Sequence, residues 1–450
     1  MNTARKIFGS CMVVASIACF GLASRAGQAV DLLENPYSPM YGHPYRHGVV
    51  PTLEALSKMR DWEASRPESR SSIGPATSAD TVSFGGGING IGVTSGTPRV
   101  YLVFYGSQWT SAGDPHGAAT YLQDLFKGIG TGGETWSGTM TQYCDGSLVA
   151  KGATSCPSGA PLVGYPSSGA FAGVWFDTSA PSPAAATTAQ LEAEAVNAAA
   201  HFGNKTAASN RYVQYVIVSP SGTHPDGFNT TGANFCAWHN YASTAYGDLA
   251  YTNMPYVTDL GASCGENFVN GGSAGTLDGF SIVNGHEYAE TLTDQNPPYG
   301  WTNASTEAEV GDECAWIRSG QGAAANVSMG NGAYAMQSTW SNDTNACAIS
   351  HAILGNGIGT PQFTYHDKAG CNGSYDLAWT SVPTATSYKL WANYPPYTGY
   401  SLLLTTSGTS ALVYAYNNPQ PSDFEVEACD GASCGARSSV QGLAYYKGCP

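Results

Sequence analysis

The sequence predicts a first domain of α/β or α+β class, a mixed sheet with flanking helices, followed by an all-β sandwich of short strands. Two observations lead to this. Between about residues 98 and 300 apolar β-rich runs alternate with helical patterns, whereas from about Pro361 the chain turns into short strands separated by turn signals. In addition, 450 residues exceed what one hydrophobic core organises, so two folded units are expected once processed segments are set apart.

Taken in order, Arg5 and Lys6 precede an apolar run over residues 7–22, and small residues follow as far as Ala29. This is the pattern of a signal peptide over 1–29, cleaved after Ala26 or Ala29. The run is shorter than the roughly 20 residues of a spanning helix, so the mature chain is expected outside the cell with no membrane contact. Residues 30–80 are rich in Pro, Ser and charge, with one helical pattern over 52–59. They read as a propeptide, which would make the protein a zymogen, as an exposed arm, or equally as a disordered linker without an inhibitory role.

The first domain is expected over residues 81–355. The run 99–105 is apolar throughout, too much so for a strand with one wet face, and should be central. Amphipathic patterns predict helices over 116–127 and 188–202, and residues 212–218 a second buried strand. After Cys236 the chain reads as irregular until residues 277–283, which lead into a helix that Asn296-Pro297-Pro298 stops. The second domain, 361–450, should hold strands at 375–380, 386–393, 401–406, 411–416, 424–429 and 438–446.

Of twelve cysteines, Cys11 and Cys19 fall in the signal segment, which leaves ten for an oxidising compartment. Proximity suggests Cys144–Cys156, Cys236–Cys264, Cys314–Cys347, Cys429–Cys434 and Cys371–Cys449, and the absence of paired CxxC spacing argues against a thiolate zinc site. A net charge of −15 with only 18 Lys plus Arg argues against nucleic acid or an anionic membrane as partner.

The chemistry concentrates in His286-Glu287-Tyr288-Ala289-Glu290. Residues four apart share a helix face, so His286 and Glu290 can address one ion while Glu287 stands beside a bound water. Glutamate is a legitimate oxygen ligand for Zn2+, and a catalytic zinc needs a third protein ligand, which Glu309 or Asp312 could provide. His239 is the candidate donor to an oxyanion, with Tyr241 behind it; a surface histidine beside a disulfide fits the sequence as well. His224, on a Pro-Asp-Gly turn, is a weaker ligand candidate, and Asp294 reads as a helix-end or hydrogen-bond acceptor. A Gly-x-Ser-x-Gly elbow between strand and helix is missing, which removes the serine-nucleophile reading. A glycosidic pair such as Glu287 with Glu309 depends on a separation that sequence does not carry.

Three resemblances add to this. Residues 286–290, Thr293-Asp294 and Glu309-x-x-Asp312 resemble the thermolysin-type gluzincin layout, with Glu290 where that family has a second histidine. The resemblance implies a zinc endopeptidase with ligands His286, Glu290 and Glu309, Glu287 as general base, a second helix carrying Glu309, and Asp312 as acceptor for the His286 ring. The segments 101–109, 235–239 and 279–314 are similar to the secreted EXORDIUM-like, phosphate-induced family of plants, which implies that the scaffold also serves non-catalytic extracellular or cell-wall roles. Leu377-Ala378-Trp379, residues 385–391 and residues 424–429 resemble a fibronectin type III domain, with Phe424 where that family often has tyrosine. Together they imply an exported peptidase acting on protein or peptide, with a C-terminal module that contacts a polymer or cell surface. The rival expectation is a non-catalytic extracellular binding protein, for which calcium would need more oxygen ligands than these.

Overall fold

The computed structural model describes residues 34–65, 80–110, 112–355 and, further on, 360–368, 374–382, 385–394, 399–414, 422–430, 433–435, 437–438 and 440–443. The signal segment 1–29 and the Cys371–Cys449 pair lie outside the described residues.

The first unit runs β1 (His47–Pro51), α1 (Leu53–Ala64), β2 (Ser83–Phe84), β3 (Arg99–Tyr105), α2 (Ala118–Gly128), β4 (Phe171–Asp177), α3 (Thr188–His201), α4 (Ala207–Asn210), β5 (Val213–Val218), β6 (Phe235–Thr244), β7 (Gly247–Met254) and α5 (Asp278–Thr293). Six of its strands form one sheet in the order β1-β6-β7-β5-β3-β4. β4, β3, β5 and β7 run parallel, and β6 and β1 add antiparallel at one edge.

The parallel core explains the apolar runs, because both faces are covered. Gln214 reaches from β5 to the Glu287 carbonyl and the Thr291 hydroxyl on α5. Its neighbour Tyr215 points to the opposite face and stacks on Tyr101, which packs on Phe202 at the end of α3. Helices therefore cover both faces, which makes this a mixed α/β unit. α3 starts with a capping box, Thr187 and Gln190 each bonding the other's backbone N–H.

Three expectations need correction. Residues 277–283 are not a run-in: all but Leu277 belong to α5, whose sixteen residues are all buried, so no polar stripe marks its start. The stretch after Cys236 is not irregular but a hairpin, β6–β7, whose two-residue link Ala245-Tyr246 lacks the Asn-Gly type of signal. Residues 34–65 are not exposed as a whole. β1 pairs with β6, and Val50, Leu56 and Met59 are buried, apolar residues obscured in the sequence by their polar surroundings. Arg46, also buried, pairs with Asp226 at 2.8 Å.

Beyond α5, β8 (Trp301–Thr302) pairs with β2, β9 (Ala325–Met329) with β10 (Gly332–Met336), and β11 (Thr339–Ser341) with β12 (Ala346–Ala348). The C-terminal unit then forms two sheets. One is β13 (Phe363–Lys368), β14 (Ser374–Trp379) and β17 (Ser410–Tyr414). The other is β16 (Ser401–Thr406), β15 (Ser387–Asn393), β18 (Ser422–Asp430) and β19 (Ser433–Cys434), with β20 (Gln441–Leu443) also on β18. Tyr375, Leu377, Trp379, Leu390, Val413, Phe424 and Val426 fill the space between them, as a fibronectin type III-like sandwich requires. Four of the five expected disulfides are present: Cys144–Cys156, Cys236–Cys264, Cys314–Cys347 and Cys429–Cys434.

Candidate metal centre

α5 lies under the antiparallel edge of the sheet and presents His286, Glu287 and Glu290 towards β6 and the 309–312 loop. All three side chains are fully buried. His286 Nε2 is 2.9 Å from Glu290 Oε2, as residues one helical turn apart can be. From the loop, Asp312 Oδ1 comes within 3.6 Å of the same His286 nitrogen. Glu290 Oε1 accepts from the backbone N–H groups of Gly311 and Asp312, which fixes the carboxylate and leaves Oε2 turned inward.

β6 brings His239 from the other side. Its ring is fully buried, so the surface position that the sequence allowed is ruled out. Nδ1 is 3.3 Å from Glu287 Oε2 and 3.8 Å from Glu290 Oε2, and Nε2 is 3.6 Å from Glu309 Oε2. Two groups of ligand atoms result, each gathered within 4.8 Å: His239, Glu290 and Glu309, and His286, Glu290 and Asp312. The expected set of His286, Glu290 and Glu309 is thus divided: Glu309 falls on the side of His239, and Asp312 takes the place beside His286. The second helix implied by the gluzincin layout is replaced by a loop and a single 3-10 turn, Asp312–Cys314, held by the Cys314–Cys347 bridge. A third grouping, Glu427 with Cys429 and Cys434, offers no thiolates because both sulfurs are bridged.

Asp294 caps α5, with Oδ1 accepting from Gly300 N at 2.7 Å, so the helix-end reading describes its position. His224 stands apart, its Nδ1 3.0 Å from the Phe228 carbonyl. Tyr241 is two residues beyond His239 on β6 and is only partly buried. The residue that sequence reasoning missed is His47 on β1, paired in register with His239 and half-buried beside the centre. Gly48 beside it has φ +48°, and a Cβ there would fall on the Glu290 carboxylate and the His239 ring. The dipeptide His47-Gly48, within a stretch otherwise rich in Pro and Tyr, was the available signal.

Burial dominates the electrostatics. It pushes the carboxyls of Glu287, Asp294 and Glu309 well above the carboxylate range, and that of Glu290 to about 7. It depresses His239 strongly, helped by His47 and His286, and lowers His47 to about 4. For His286, burial is outweighed by the Glu290 and Asp312 carboxylates, which raise it. His239 Nε2, His286 Nδ1, Glu287 Oε1 and Glu309 Oε2 are buried without a hydrogen-bond partner, while His286 Nε2 and Glu290 Oε2 stand 2.9 Å apart. Such atoms are expensive to leave unmatched, and imidazoles plus carboxylates are the donor set that a Zn2+ ion satisfies.

No protein family and no curated protein sequence matches the chain. Among solved structures, an Fn3-like protein from Clostridium thermocellum matches at 18% identity, covering 20% of this chain and 95% of its own, with a TM-score of 0.18. The 6th fibronectin type III domain of human fibronectin type III domain containing protein 3 matches at 13% identity over 20% of this chain and 87% of its own, TM-score 0.18. Domains A168–A170 of titin match at 14% over 19% of this chain and 32% of their own, TM-score 0.18. The sandwich assignment therefore rests on the strand pairing described above.

Proposed function

We propose that this chain is an exported zinc-dependent endopeptidase, with its centre at His239, His286, Glu290, Glu309 and Asp312 and Glu287 as general base. The observation that carries the reading is the convergence of buried imidazole and carboxylate groups around a helix that also carries, one residue from a proposed ligand, a carboxyl with one free oxygen. Zinc bound there supplies Lewis acidity, which makes a coordinated water a nucleophile near neutral pH and polarises the scissile carbonyl.

The chain's own groups supply the rest. Glu287 Oε1 is free to take the water's proton, while Oε2 is held by His239. Burial raises the basicity of Glu287, which suits a group that must accept a proton and then deliver it to the leaving amine as the C–N bond breaks. The scissile peptide ends as a carboxylate and an amine. Tyr241, partly exposed two residues beyond His239 on β6, would donate towards the oxyanion, since His239 is drawn into the ligand set. β1 lies across the centre, so the described state is the latent one, and the N-terminal segment must be displaced or removed before a protein or peptide substrate reaches it. The C-terminal module holds the enzyme near a polymer or cell surface.

Burial of every member of the cluster but the partly exposed Asp312 favours a second reading, a non-catalytic extracellular binding protein stabilised by an internal cation. The two are separated by assaying secreted wild type and Glu287→Gln on casein, before and after limited proteolysis of the N-terminal segment, with metal analysis of both. The peptidase reading expects wild type to cleave after processing, and the variant to keep its zinc while losing activity by about 10²–10⁴-fold. A zinc-loaded, processed wild type that leaves casein intact establishes the second reading.

A further inference from the structure

We infer that the centre holds two divalent cations bridged by Glu290, not one; this deepens the metallopeptidase reading and rests on it. The first ground is geometric. Two ligand groups are present, and Glu290 is their only shared member. With Zn–N and Zn–O bonds of about 2.0–2.1 Å, neighbouring ligand atoms of a tetrahedral ion stand roughly 3.3 Å apart. The separations of His286 Nε2 from Glu290 Oε2 and Asp312 Oδ1 are 2.9 and 3.6 Å. On the other side His239 Nδ1 stands 3.8 Å from Glu290 Oε2 and Nε2 3.6 Å from Glu309 Oε2, and one ring nitrogen lies with an oxygen of each carboxylate inside 4.8 Å. Each group is compact enough to draw in around one ion, and the outer members, Glu309 and Asp312, approach different histidines.

The second ground is charge. Glu287, Glu290, Asp294, Glu309 and Asp312 act on one another within this interior, and among the described residues no lysine or arginine pairs with any of them. Carboxyl groups gathered this closely in an interior call for cations beside them, and two ion sites meet more of them than one. The third is the fixed attitude of Glu290. Oε1 is occupied by two backbone donors while Oε2 faces both histidines, 2.9 Å from His286 Nε2 and 3.8 Å from His239 Nδ1, as a bridging oxygen should. Paired ions about 3.5–4 Å apart clamp both the attacking and the departing atoms in hydrolases of this kind.

The test is metal stoichiometry, by native mass spectrometry and elemental analysis, of the full secreted chain saturated with zinc and freed of excess. Two zinc ions per chain are expected in wild type, one in Glu309→Gln, one in Asp312→Asn and fewer than one in Glu290→Gln. A single zinc in saturated wild type overturns the inference, as do two ions retained in both the Glu309→Gln and Asp312→Asn proteins. Melting curves identify any variant that fails to fold. In that event cobalt-loaded wild type decides, magnetic coupling between neighbouring ions being expected and isolated ions contradicting the bridge. One zinc with casein cleavage intact sinks only the second ion, two without cleavage sink only the peptidase reading, and none sinks both.

Discussion

Gly48 shows how much of the centre depends on a residue that coordinates nothing. Its positive φ and its missing side chain let β1 pass against Glu290 and His239. Gly48→Ala should displace the Glu290 carboxylate, lower stability by about 1–3 kcal/mol and weaken zinc binding at least tenfold, both measurable in one series of metal-dependent melts. A second residue makes a pH-dependent contribution away from the centre. Glu63 on α1 is held near a pKa of about 7 by burial, above its value in the unfolded chain. The folded state therefore binds the extra proton, and this contribution is complete below about pH 4.5 and lost as pH rises through about 7. Glu63→Gln should leave the melting temperature unchanged relative to wild type at pH 4 and raise it at pH 8; an equal shift at both would contradict the assignment.

At the scale of elements, what the sequence made legible is what spacing can carry. His286, Glu287 and Glu290 follow from helical geometry, the buried strands from runs such as Val100–Phe104, and four disulfides from proximity along the chain. His239 was visible as a candidate donor but not as a neighbour of Glu290 and Glu309, because its place depends on β6 packing over α5, a contact between segments nearly fifty residues apart. His47 depends on a longer-range pairing still. The division of Glu309 from Asp312 was illegible because an expected helix became a loop, and three residues of loop can turn two carboxylates in different directions. Cys236–Cys264 anchors β6 to the turn that precedes α5 and closes a sequence separation of 28. Replacing both cysteines by alanine should cost about 3–4 kcal/mol in chemical denaturation and let β6 drift from α5, so zinc affinity should fall as well. Lost stability with unchanged zinc affinity would show that β6 is positioned by the sheet alone.

Across the whole molecule, the two units are joined by charge as well as by chain. Arg437, on the C-terminal sandwich, lies 3.9 Å from the centroid of Trp391 and approaches Glu425, Glu427 and, from the first unit, Asp343. Although burial opposes it, Arg437 together with His351 holds the Asp343 carboxyl down at about 2. Removing the guanidinium strands one buried carboxylate, Glu427, and two half-buried ones, so Arg437→Ala should destabilise the protein by about 2–4 kcal/mol and make the junction near residue 355 sensitive to protease. Unchanged melting and an intact junction would mean the units touch without supporting one another.

The central claim, that the buried cluster on α5 and β6 is a metal centre, is tested most directly by calorimetric titration of zinc into chelator-treated protein in buffers of different ionisation enthalpy. The metal-free carboxyls of Glu287, Glu290 and Glu309 are driven towards their protonated forms by burial, so zinc binding at pH 7 should release more than one proton per chain. Both the binding and the proton release should disappear in Glu290→Gln. Absence of zinc binding, or binding without proton release that persists in Glu290→Gln, would place any metal elsewhere and contradict the account.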